Sequence, residues 1–199
     1  MTDPSSTLIS IFLLLGTTSF MIVVAFICGS FSFLKSLATR KGLAAKLVFG
    51  IVLGLFAIYG TLMGTKLADG TIINVRELAA MMAGVVGGPI AGTVAGLIGG
   101  IHRYTVGGAT ALPCTISTII IGIVTGLIST RLLGKLYLLK GAVLGLVAES
   151  GAMGLILLLV QPFAAALNIV SQIALPMISA NTIGLVLWMY MYNKWIALR

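Results

Sequence analysis

Charge is what this sequence has least of. Of its 199 residues four are acidic, Asp3, Asp69, Glu77 and Glu149, and twelve are Lys or Arg, so 8% are charged against 59% apolar. A soluble domain carries about a quarter charged residues, and a mean hydropathy of +1.19 leaves too little polar surface to face water. The scarcity of carboxylates excludes a metal cage, a carboxylate dyad and a hydrolytic triad. No metal or cofactor is expected, and no catalysis by this chain. Cysteine is nearly absent too: Cys28 and Cys114 lie in different apolar stretches and supply no disulfide framework.

What remains is apolar sequence in six segments, about 8–34, 44–64, 78–101, 110–130, 141–160 and 168–192, separated by short polar breaks. Stretches of this length, with Gly, Pro and Met throughout, indicate an all-α, polytopic helical membrane bundle rather than a barrel of alternating strands. No linker is long enough to divide it, so residues 1–199 read as a single transmembrane domain. Residues 1–10 have no cationic region and no small-residue cleavage site, so the first segment is expected to be a retained helix. The net charge of +8 reports topology in the lipid bilayer, not nucleic-acid binding.

Six full crossings would place the cations five against seven, which is no bias. The third segment offers a remedy, because Gly84-Val85-Val86-Gly87-Gly88-Pro89 loosens a helix at its middle. The arms 76–88 and 90–103 would each rise roughly 20 Å, too short for a hydrocarbon core of about 30 Å. If this segment enters and leaves on one face, nine cations (Lys35, Arg40, Lys41, Lys46, Arg131, Lys135, Lys140, Lys194, Arg199) fall inside and three (Lys66, Arg76, Arg103) outside. The positive-inside rule then favours five full crossings plus a re-entrant pair, with the amino terminus outside and the carboxyl terminus in the cytoplasm. A continuous, tilted third helix is the alternative. Gly84, Gly88, Gly92, Gly96 and Gly100 form a ladder for close helix packing, with Gly122 and Gly126, and Gly141 and Gly145, as candidate partner surfaces.

Re-entry would bring Arg76, in Asn74-Val75-Arg76-Glu77, close to Arg103, in Gly99-Gly100-Ile101-His102-Arg103. Two guanidinium groups converging at the outer mouth make a fork for a carboxylate. The competing reading pairs Arg76 with Glu77 and anchors Arg103 at the headgroups. Pro113 opens the fourth segment, and Cys114 and Ser117 share one face of it near the start, where free N–H groups favour an anion. Cys114 as an apolar filler, and Ser117 and Thr115 bonded to their own backbone, are the plainer alternatives. Glu149, near the middle of the fifth segment, is a functional candidate by depth, or else a protonated structural group bonded to Asn181 or Gln172. His102 is expected to bond locally, and Trp188, Tyr190, Tyr192 and Trp195 to form an interfacial belt.

Asn74-x-Arg76, the glycine ladder, Gly99-Gly100-x-His102-Arg103 with Gly107-Gly108, then Cys114 and Ser117, together resemble the five-transmembrane sensor domain of the LytS/YhcK type. Leu175-Pro176-Met177-Ile178 with Asn181 and Gly184 resembles that family's last helix, and the likeness covers roughly residues 35–192. The resemblance implies the input domain of a bacterial inner-membrane sensor histidine kinase, homodimeric through the full-length receptor. It implies a small carboxylate ligand such as pyruvate, lined by Arg76, Arg103, Cys114 and Ser117. Asn74, His102, Thr115, Glu149 and Asn181 are further candidates for the ligand site or its network. The sequence stops at Arg199 with no output domain, so the expectation is an excised input domain or signalling through a partner. The alternative is a substrate-binding membrane subunit of a small-molecule or vitamin importer.

Overall fold

The computed structural model describes the backbone of residues 4–30 and 42–197, with side chains described over 8–23 and 42–194. Asp3, Lys35, Arg40, Lys41, Arg199 and the side chains of Cys28 and Trp195 lie outside the described residues. The chain runs α1 (Pro4–Ser30), α2 (Leu43–Leu62), β1 (Thr65–Lys66), β2 (Ile72–Ile73), α3 (Arg76–Val106), α4 (Ala111–Leu127), α5 (Ser129–Leu132), α6 (Tyr137–Leu159) and α7 (Phe163–Ala197). Helices dominate because a segment in lipid must satisfy every backbone N–H and C=O within itself. The paired two-residue strands β1 and β2, antiparallel with Thr65 opposite Ile73, sit where polar Lys66, Asp69 and Thr71 interrupt the apolar pattern. Asp69 closes that turn, accepting from the Thr71 N–H at 2.9 Å and the Thr71 hydroxyl at 3.0 Å.

Helix α3 is broken at Gly88, whose φ of 73° and ψ of −164° are open to glycine and strained for other residues. Pro89 follows, removing one backbone donor at the break. The arms, 76–87 and 89–106, fold back on each other. A β-carbon built on Gly92 would lie 3.0 Å from the Gly84 Cα, and one on Gly99 would lie 3.4 Å from Arg76 Cγ. In a straight helix Arg76 and Gly99 would be roughly 35 Å apart. The third segment is therefore a hairpin with both ends at one end of the bundle, not a continuous tilted helix. The loops on either side of it meet there, the Gly70 backbone pressing on Gly108.

With α3 returning, the five crossing elements are α1, α2, α4 with α5, α6 and α7. Leu43–Leu62, Tyr137–Leu159 and Phe163–Lys194 are each long and apolar enough to span. Ala111–Leu127, at 17 residues, rises about 25 Å and is extended by the turn α5. The last helix is longer than its apolar stretch suggested. Asn168 and its neighbours do not interrupt it, because Ser171 and Gln172 donate back to the Asn168 carbonyl at 2.8 and 3.3 Å.

The first arm of α3 is buried throughout residues 76–85 and occupies the middle of the bundle. The second arm is wedged between α2 and α4 by small residues. Gly50 meets the Ala91 carbonyl at 2.8 Å, counted from its missing β-carbon, and Gly54 meets Ile98 at the same distance. On the other side Gly96 meets the Thr118 carbonyl at 2.9 Å, while Gly92 and Gly122 abut carbonyl to Cα; Gly84, on the first arm, meets the Gly126 nitrogen of α4 at 2.8 Å. Gly122 and Gly126 thus face the ladder as expected. Gly141 and Gly145 do not: they admit Met189 and Thr182 of α7. Trp188 also departs from the expected interfacial belt. It is buried and stacks on Tyr192 with ring centroids 5.2 Å apart, whereas Tyr190 is exposed under the Lys194 ammonium.

Single cysteines introduced at 66–74 and at 104–109 are expected to react with an impermeant maleimide from one side of the membrane, and those at 131–140 only from the other. Reaction of 104–109 together with 131–140 would contradict the hairpin.

Candidate functional site

Asn74 prepares the entry into α3. Its amide donates to the Ile72 carbonyl at 2.8 Å and its Oδ1 accepts the Arg76 N–H at 3.1 Å, so the β2 strand and the first helical turn are fixed to one another. Arg76 is the first helical residue and is fully buried. Its guanidinium meets Glu77 Oε1 at 2.5 Å through Nη2, Thr118 Oγ1 at 2.7 Å through Nε, and the Cys114 carbonyl at 3.4 Å. Glu77 Oε1 also lies 3.2 Å from Ser117 Oγ and 3.1 Å from Thr118 Oγ1, both hydroxyls being shared with the Cys114 carbonyl.

Arg103 comes from the far end of the hairpin and is equally buried. Nη1 donates to the Gly107 carbonyl and Nη2 to Thr110 Oγ1 at 3.0 Å, closing the turn into α4. No acidic group pairs with it among the described residues, and the ion pair between Arg76 and Glu77 uses the nearby carboxylate. The two arginines interact electrostatically with each other and both with Cys114, which lies buried at the start of α4. Two donors of this cluster, Arg76 Nη1 and Arg103 Nε, make no hydrogen bond within the protein, and neither does the acceptor Glu77 Oε2.

The hairpin therefore brings Arg76, Arg103, Cys114 and Ser117 into one buried cluster, with Asn74 supporting it from outside. Glu149 is fully buried on α6, within electrostatic range of Arg76 and Glu77 and beside Asn181 of α7. Asn181 turns one amide hydrogen to the Asn74 carbonyl at 3.3 Å and lies close enough to Glu149 for its side chain to interact with that carboxyl, whereas Gln172 bonds its own helix. Two other candidates stand apart. Thr115 bridges the Gly100 and Ala111 carbonyls at 2.9 and 2.8 Å, a packing role between the second arm and α4. His102 is half-buried, makes no side-chain hydrogen bond and is not joined to the cluster, contrary to the expected local bond. Adjacent helical residues point in different directions, which separates it from Arg103.

The alternative reading that pairs Arg76 with Glu77 holds, and the same carboxylate also gathers Ser117 and Thr118, which the sequence does not show. Two further participants, Thr118 and Thr110, are not among the sequence candidates. Thr118 is four residues from Cys114, a spacing as close on a helix as the three that singled out Ser117. Thr110 precedes α4 and could have been found as the polar residue nearest the returning arginine.

A five-crossing bundle with a buried charged hairpin at one end defines a multi-pass helical membrane domain, and the comparisons agree. Residues 28–194 match the family model described as 5TMR of 5TMR-LYT, and the chain belongs to that family, a multi-pass helical membrane domain. It is 37% identical over 164 residues to the sensor histidine kinase BtsS of Escherichia coli (strain K12), covering 79% of this chain and 29% of that protein. It is 32% identical over 129 residues to the sensor histidine kinase YpdA of the same organism, covering 64% and 23%. To the sensor protein LytS of Bacillus subtilis (strain 168) it is 30% identical over 171 residues, covering 76% and 29%. The chain thus spans less than a third of the length of these relatives. No solved structure matches it.

Proposed function

We propose that this domain is the ligand-binding input of a sensor histidine kinase, recognising a small carboxylate, pyruvate foremost, from the outer side of the bacterial inner membrane. The observation that carries this reading is Arg103. A guanidinium buried without a carboxylate partner leaves uncompensated positive charge in low dielectric, and an anion is what offsets it. The unused N–H groups of Arg103 and Arg76 offer charge-assisted bonds to a carboxylate, and Ser117 and the Cys114 thiol offer weaker ones to a keto oxygen.

The route to the cytoplasm runs through the first arm of α3. Leu78 packs into the space at Gly184 of α7, and Asn181 of α7 holds the Asn74 carbonyl. Helix α7 has 35 residues, roughly 52 Å, against a core of about 30 Å, so a shift made at the arginines reaches beyond the bilayer along one helix. The relatives carry sensor names, which favours this reading over an importer subunit.

Calorimetry of the purified chain with pyruvate, lactate, acetate and succinate tests the proposal, pyruvate being expected to bind most tightly. Ser117→Ala is expected to weaken pyruvate binding by about 0.5–1.5 kcal/mol, the worth of one neutral hydrogen bond. Absence of binding by every carboxylate in the wild-type chain would refute the reading.

A further inference from the structure

Glu149 has no part in the arrangement of arginines, yet it is the group whose chemistry is least satisfied. It is fully buried, and neither carboxyl oxygen accepts a hydrogen bond. The groups facing it are Arg76 and Glu77 from the first arm of α3 and the non-titrating Asn181 from α7; Cys114 of α4 faces those same two α3 groups. Arg76 is committed to Glu77 at 2.5 Å, so Glu149 has no cation of its own. A buried carboxylate in no ion pair, with neither oxygen in a well-formed hydrogen bond, is costlier than the neutral acid. Beside it Asn181 Oδ1 is a second buried acceptor without a donor, while its Nδ2 turns one hydrogen to the Asn74 carbonyl. One proton on Glu149 supplies the donor that this pair of acceptors lacks.

We infer that Glu149 holds a proton and that the carboxylate ligand is bound together with it, so that the domain takes up the equivalent of an undissociated acid. The inference rests on the carboxylate reading above. With Glu149 neutral, Arg76 and Arg103 against Glu77 leave one positive charge, which one carboxylate balances. With Glu149 ionised, that charge is already cancelled and a bound carboxylate leaves the cluster negative. Anion and proton therefore favour each other, and the coupling is reciprocal.

Two measurements on the purified full chain test this. Infrared spectroscopy is expected to show a protonated-carboxyl C=O stretch in the ligand-free protein at neutral pH, lost in Glu149→Gln and shifted in frequency in Asn181→Ala, which keeps the carboxyl and removes its neighbour. Pyruvate titrations at rising pH are expected to show constant affinity while Glu149 keeps its proton, then a fall approaching tenfold per pH unit for a single linked proton. Glu149→Gln, which imitates the neutral acid, is expected to bind pyruvate with no such fall. An infrared band unchanged by both substitutions, or a fall that persists in Glu149→Gln, overturns the inference. If wild-type protein binds no pyruvate yet shows the Glu149 band, the proton assignment stands and the choice of ligand fails.

Discussion

Arg103→Ala is expected to abolish measurable pyruvate binding while leaving a folded domain, and Arg76→Ala to lose both binding and stability. The difference lies in what each arginine leaves behind. Arg103 bonds a backbone carbonyl and the Thr110 hydroxyl, neutral groups that alternative partners can satisfy. Arg76 holds the buried carboxylate of Glu77, and removing one member of a buried ion pair costs about 3–5 kcal/mol because the other is stranded. Charge-assisted bonds contribute about 1.5–3 kcal/mol each, so losing two to the ligand lowers affinity by roughly a hundredfold or more. Arg103→Lys is expected to fail almost as fully, since a point charge lacks the planar fork. Calorimetry and thermal melting in detergent, run on the same preparations, separate the two losses. Wild-type affinity in Arg103→Ala would show that its charge serves only the turn into α4.

Gly92→Leu is expected to produce the largest fall in melting temperature of any single glycine substitution in the second arm. Even an alanine β-carbon there overlaps the Gly122 carbonyl oxygen, and the atoms in the way are backbone, which cannot swing aside. Overpacking costs about 1–3 kcal/mol in well-packed cores, or several degrees in a chain of this size at roughly 2–4 °C per kcal/mol. Gly151→Leu is the control, because nothing lies within 4 Å of a β-carbon at Gly151. Equal melting of the two variants would mean that the second arm and α4 are not in backbone contact.

Much of this architecture was legible in the sequence because it followed from two strong constraints. Gly88-Pro89 marks a place where a helix is loosened, and the cations obey the positive-inside rule if the chain turns back there, which favours the hairpin over a continuous tilted helix. Once the hairpin is granted, Arg76 and Arg103 must converge at one end, and Cys114 and Ser117 must join them from the helix that follows. The misses concern contacts rather than topology. Sequence spacing places side chains on a face but does not say which polar neighbour they choose. Thr115 therefore looked like a site residue, although it serves the Gly100 carbonyl, and Glu77, rightly paired with Arg76, also organises the hydroxyls of α4, which its spacing did not reveal. Trp188 carried the composition of an interfacial belt, yet its position on α7 turns it inward against the bundle.

The glycine contacts also divide the molecule mechanically. Backbone touches backbone where the second arm of α3 meets α4, and on α2 Gly50 admits the Ala91 carbonyl and Gly54 the Ile98 side chain, so the second arm is packed on both sides with little slack for side chains to absorb. Arg103 stands on that second arm and Cys114, Ser117 and Thr118 on α4, with Arg76 and Glu77 joined to α4 from the first arm by hydrogen bonds, whereas Glu149 and Asn181 belong to α6 and α7. Across the boundary the links are softer: the 3.3 Å bond from Asn181 to Asn74, and leucine methyls against Gly184. On the proposed reading, tightening of the arginine end would not be dissipated inside a pliable pocket. It would be delivered at the seam with α7, and the stiffness of the glycine-packed half would determine how faithfully the event is transmitted.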